Sequence, residues 1–247
     1  MRFACREKLI PRLIAAALAV ASMAGMQPVE AALIDTFQAD RDATLIGSST
    51  SDVWNWNFGE LDRINVGQFA DDDDQRSILG FEVSSVPSGA TINAITLNLH
   101  VVANELNEDM TIALHAITAA NRDWTEGESN GPADPGESTW NQKAFGTPGT
   151  PWAGSAGLGT PGIDYDSTVL ATADVGQSTS GMVPFSFLGT PAELTELIDS
   201  WREDELNPNF EENPGLLLRK TTPLNDGEGQ FHDLARANRL THCYAPS

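Results

Sequence analysis

Carboxylates cluster in three places along the chain: Asp35, Asp40 and Asp42, then the run Asp71 to Asp74, then Asp164 and Asp166. Hard divalent cations are held by about six to eight oxygen ligands, so calcium is the cofactor these clusters suggest. None has the spacing of a twelve-residue calcium loop. A site would therefore be assembled from separate loops, with Asp40, Asp42, Asp71, Asp73 and Asp164 as its candidate ligands. Acids that serve only solubility produce the same pattern, and the sequence weighs the two readings equally. A second chemistry belongs to the aromatic residues. In the stretch Trp54, Asn55, Trp56, Asn57, Phe58, rings alternate with amides. A flat ring stacks on a sugar while a neighbouring amide bonds its hydroxyls, which makes Trp54, Asn55, Trp56 and Trp152 the candidate carbohydrate contacts. Tryptophan is also a common core residue, and Trp124, Trp140 and Trp201 read as structural.

Hydrolytic chemistry finds less support. Gly127-Glu128-Ser129-Asn130-Gly131 matches the form of a nucleophile elbow, but that serine needs a strand before it and a helix after it, and here Pro132 and Pro135 follow. His100 and His115 fall in alternating stretches, where an outward or hydrogen-bonded histidine is the ordinary reading. No His and Cys spacing suits zinc. A carboxylate-based enzyme acting on polysaccharide stays a remote alternative, because no pair of acids is singled out. The chain is read as noncatalytic.

These residues need a scaffold, and the chain supplies one built on period two. Ile95, Leu97, Leu99 and Val101 alternate with polar or small neighbours, as do Met110, Ile112, Leu114 and Ala116. Such strands dry one face and leave the other wet, which predicts an all-β, antiparallel, jelly-roll-like sandwich. The arm Ile78 to Val83, the connection Pro87-Ser88-Gly89 and the arm from Ala94 to Val102 are expected to form a β-hairpin at its heart. Further strands are expected around Ala43 to Ile46, at Leu61 to Val66, at Val169 to Val175, at Val183 to Leu188 and at Leu216 to Leu218, the last buried on both sides. Thr190-Pro191-Ala192-Glu193 is a capping box with Pro at the first helical position, and Leu194, Leu197, Ile198 and Trp201 follow at helical spacing. One short amphipathic helix is therefore expected to cap the sandwich. From Trp124 to Asp166 the pattern dissolves into Gly, Pro, Ser and Thr, a long loop whose tryptophans favour pinning onto the sheet.

Composition sets the surroundings. Arg2, Arg6, Lys8 and Arg12 precede an apolar run from Leu13 to Met23, with small residues at Ala31 and Ala32, the form of a secretory signal peptide over residues 1–31. The run is shorter than the roughly 20 residues that cross a bilayer, so no membrane insertion is expected of the mature chain. Cleavage takes the net charge from −21 to −23. A surface that acidic repels phosphate backbones and anionic lipid heads, which excludes nucleic acid as a partner. Of the two cysteines, Cys5 lies in the signal segment, so Cys243 has no internal disulfide partner. A monomeric domain over residues 32–233 and a divergent or truncated tail over 234–247 complete the expected organisation.

Several pieces, in order, resemble the DNRLRE domain, a secreted β-sandwich related to disaggregatase-associated repeats and to a family of carbohydrate-binding modules. They are Asn57-Phe58-Gly59, Ile64-Asn65-Val66-Gly67, the segment from Arg76 to Pro87, Trp124-Thr125-Glu126-Gly127, Thr139-Trp140-Asn141, the segment Leu197 to Trp201, and Pro214 to Arg219. The resemblance implies a jelly-roll-like fold without catalytic residues and, for some relatives, polysaccharide binding and a bound calcium. Two departures stand out: Gly80 replaces the family's usual arginine, and the family's closing stretch survives only as Phe231-His232-Asp233-Leu234. The reading is then a secreted, noncatalytic module for a polysaccharide or cell-surface glycan, or an extracellular-matrix module. Its alternative is a structural surface or adhesion protein that binds no sugar.

Overall fold

The computed structural model describes residues 33–48, 52–69, 73–101, 103–104, 109–206, 208, 213–221, 231–232 and 239–245. Residues 1–31, expected to form a signal peptide, lie outside the described residues, as do Asp71 and part of the C-terminal tail. In chain order the strands are β1 (Leu33–Gln38), β2 (Arg41–Gly47), β3 (Trp56–Asn57), β4 (Gly67–Phe69), β5 (Asp73–Gly80), β6 (Thr91–Val101), β7 (Ala103–Asn104) and β8 (Met110–Ala116). They continue as β9 (Gly131–Pro132), β10 (Gln142–Ala144), β11 (Thr150–Pro151), β12 (Ala171–Val175) and β13 (Gly181–Ser186). After a helix α1 (Pro191–Leu206) come β14 (Leu216–Lys220), β15 (Phe231–His232) and β16 (Arg239–Ala245).

Two antiparallel sheets make the body. One has the order β1-β16-β6-β13; the other runs β12-β8-β14-β5-β2, with β4 also paired to β5. The inward positions of β6 and β13, Ile95, Leu97, Leu99, Val183 and Phe185, meet Leu79, Ile112, Leu114, Leu216 and Leu218 of the second sheet in one cluster of buried side chains. Burying each such side chain contributes about 1.5–3 kcal/mol, so this interior is the main source of cohesion. The fold is thus the all-β antiparallel sandwich that the alternation predicts.

The expected hairpin is not one. β5 lies in the five-strand row and β6 in the other sheet, so Arg76 to Val101 crosses the sandwich instead of folding back beside itself. The ten-residue connection carries Phe81, Val83, Val86 and Ala90 into the core, and a connection that buries its own apolar residues acts as an end wall rather than a tight turn. The hairpin in this region is formed by β4 and β5, with Gly67 opposite Gln75 and Phe69 opposite Asp73. Asp73 and Asp74 are accordingly strand residues, not a loop tip. Leu61 to Val66 is irregular, although Ile64 and Val66 are buried. The segment 33–47 gives two strands in different sheets, where a single one was expected.

The helix is longer than expected at 16 residues. Its capping box forms: Thr190 N–H donates to Glu193 Oε2 at 2.7 Å, and Glu193 N–H to Thr190 Oγ1 at 3.4 Å. Leu194, Ile198 and Trp201 enter the core, and Ile92 N–H donates to Thr195 Oγ1 at 2.8 Å, which ties the helix to the start of β6. The tail, read as divergent or truncated and without clear period, supplies β16, which pairs with β1 on one side and β6 on the other.

Strands β2, β5 and β14 of the second sheet are buried on both faces. Ala43, Ile78 and Leu217 stand opposite one another across β2, β5 and β14. With Leu45 they pack outward against Ile117, Trp124, Trp152, Leu158 and Tyr165. The long loop is therefore a third layer.

Candidate functional site

Much of the chemistry-bearing sequence lies in or against this third layer, which has few backbone ladders and must find hydrogen bonds elsewhere. Asp164 supplies many of them. Its side chain is fully buried, and the carboxylate accepts from the N–H groups of Gly154 (2.7 Å), Ser155 (2.9 Å) and Thr160 (2.8 Å) and from Asn121 Nδ2 (3.1 Å). A carboxylate offers about four lone-pair positions, so this one is committed to the chain itself. Asn57, also fully buried, does the same elsewhere: its Nδ2 donates to Glu126 O and Ser138 O, and its Oδ1 accepts from Gly59 N–H. Glu137 accepts from the N–H groups of Glu128 and Asp134, and those bonds hold its carboxyl below the usual range against the opposing effect of burial.

The predicted calcium ligands do not converge. Asp164 is saturated in the interior, Asp73 is half-buried in β5, and Asp71 lies outside the described residues. Among the described residues no three of His, Cys, Asp and Glu are placed to hold a metal together. Asp40 and Asp42 do share a site, but with Glu126. Burial pushes Asp42 up to about 6. Glu126 is pushed up to about 7, first by burial and then by the charges of Asp42 and Asp40. Desolvation raises Asp40 too, and the Arg41 guanidinium opposes it.

Arg41 sets this corner. Its guanidinium lies 4.2 Å from the centre of the Trp124 ring and donates to Trp124 O at 2.8 Å and to Asn213 O. The stem runs over Gly80, where an added Cβ would fall 2.5 Å from Arg41 Nε. Gly80 thus leaves the space in which Arg41 lies. Glu126 carried no local sign of its role, because its partners stand far away in sequence.

The aromatic candidates separate sharply. Trp152 is 3% exposed and donates from Nε1 to Thr139 O, so neither ring face is open to a sugar. Trp124 and Trp201 are equally buried, as expected of structural residues. Trp54 is 37% exposed. It sits in a short 3-10 turn, Asp52–Asn55, that the third layer clamps: Asn141 N–H donates to Trp54 O, Asn141 Nδ2 to Asn55 Oδ1 at 3.1 Å, and Ala133 N–H to Asn55 O. Trp56 is half-buried, its ring centre 6.2 Å from that of Phe58. Three of the four predicted contacts therefore stand side by side in the chain, and Asn141, which the sequence had not marked for binding, holds two of them, Trp54 through its carbonyl and Asn55 through its side chain.

The remaining nucleophile and base candidates have structural duties. Ser129 lies in irregular chain with no helix after it. His115 Nδ1 is within hydrogen-bond reach of Asp166 O and Thr168 O, and its ring meets Tyr165 edge-on; burial lowers its pKa. No helix among the described residues is long and apolar enough to cross a membrane. No known protein-family model matches the chain, and no curated protein matches it.

Proposed function

We propose that the protein is a secreted, noncatalytic module that binds polysaccharide through the surface around Trp54. The observation that carries this reading is the exposed Trp54 ring on a turn held by Asn141, with Asn55 and Trp56 beside it. A backbone turn fixed before the ligand arrives lowers the ordering cost of binding, which favours stacking of its exposed ring on a sugar. The ordered likeness to the DNRLRE domain supports the same role, and the N-terminal segment supports export. No step passes through calcium, since Asp164 offers its oxygens to N–H groups and, among the described residues, no three acids, histidines or cysteines are placed to hold a metal.

Affinity electrophoresis of the folded protein in gels containing a panel of polysaccharides tests the proposal. Retardation by at least one polymer, relieved in Trp54→Ala, is the expected result. Uniform migration across the panel would leave the adhesion or matrix role without sugar binding.

A further inference from the structure

The charges around Trp54 narrow the ligand. Asp52, in the same turn, and Asp134, just past the strand that pairs with Trp56, are both exposed acids. Four basic residues of the third layer and its surroundings, Lys143, Arg122, Arg76 and Arg41, are turned onto main-chain carbonyls, while Arg219 donates to the Tyr165 hydroxyl and lies over its ring. Lys143 Nζ donates to Ala120 O (3.2 Å) and Arg122 O (3.1 Å), and Arg122 Nε donates to Ala119 O (3.0 Å). Arg76 donates to Gly157 O and Leu158 O while pairing with Asp74, and its guanidinium lies 5.0 Å from the Trp140 ring centre. Arg41 is held by Trp124 O and Asn213 O. A cation that already satisfies main-chain carbonyls would have to abandon them to greet an anion, and those of the carbonyls that are shielded from water would be left unpaired.

From this we infer that the ligand of the Trp54 surface is a neutral polysaccharide, and that uronate-bearing or sulfated polymers are rejected. The inference rests on the sugar-binding reading and narrows it. With a net charge of −21 over the whole chain, long-range repulsion acts in the same direction as the local acids. Stacking and amide hydrogen bonds on neutral hydroxyls carry the affinity, so salt has little to screen.

The test titrates the full secreted chain with neutral β-glucan, mannan and xylan and, separately, with alginate, polygalacturonate and heparin, at about 20 mM and about 300 mM NaCl. A neutral polymer should bind with an affinity that changes less than about twofold between the two salts, because no ion pair is formed. Trp54→Ala should weaken it about tenfold or more, and Trp54→Tyr, which keeps a stacking ring, should retain most of it. Circular dichroism establishes that both variants fold. Binding of an anionic polymer that falls steeply with salt would overturn the inference and leave sugar binding intact. Failure of all six polymers with folded protein would overturn both.

Discussion

At the scale of single residues, two carboxylates against the third layer do opposite things. Asp164 is an acceptor for four donors, and its removal takes the acceptor from all of them, three partly buried and one fully buried. Asp164→Ala should cost about 3 kcal/mol or more, since each unsatisfied buried donor costs about 1–3 kcal/mol, and denaturant titration reads the change. Glu126 is instead raised to about 7 from 4.5, and Asp42 to about 6 from 3.8. A carboxyl raised in the folded state holds its proton there more tightly than in the unfolded chain, so stability is lost as pH climbs from about 4 to about 7. His115, lowered from 6.5, works the other way, losing its contribution as pH falls below that value. The clean measurement is therefore a difference: Glu126→Gln should be more stable than the native chain at pH 8 by about 1 kcal/mol, well below full linkage because the side chain is only half-buried. The gap should close toward pH 4.5. Neither role was legible in the sequence, because a carboxylate does not announce whether N–H groups or other acids will surround it. Trp152 was opaque for a like reason: its ring is as suited to Thr139 O and the sheet as to a sugar.

At the scale of elements, alternation announced strands well and partners poorly. Ile95 to Val101 and Met110 to Ala116 are the strands their period indicates, and Leu216 to Leu218 is buried on both sides as an unbroken apolar run should be. The capping box at Thr190 placed the start of the helix. Period two, however, states which face is dry and not which strand lies alongside, so β5 and β6 read as neighbours although they face each other across the core. The two-sided burial of β14 leads to a pair of outcomes. Leu217→Ala and Leu218→Ala should each cost about 2–5 kcal/mol, one by opening the third layer and the other the main core. Trp152→Ala should free the third layer selectively: limited proteolysis should cut between residues 124 and 166 while the far-ultraviolet β signal persists. Loss of that signal would mean that the layer and the sandwich fold as one unit.

At the scale of the whole molecule, residues that look peripheral in the sequence are structurally central. The tail was legible only as a stretch without clear period, yet β16 stands between β1 and β6, where its loss separates an edge strand from the rest of its sheet. A chain ending before Arg239 should lose cooperative thermal unfolding altogether. Consecutive major strands repeatedly change sheets, as β1 to β2, β5 to β6 and β12 to β13 do, so the first sheet closes only when its earliest and latest described strands have met. Contacts of such long range form slowly. A nascent chain lacking β16 has nothing to place between β1 and β6, and an export channel that accepts only unfolded polypeptide would find it still threadable. Under the secreted role proposed above, delayed closure of the sheet is what passage through a membrane before folding would require.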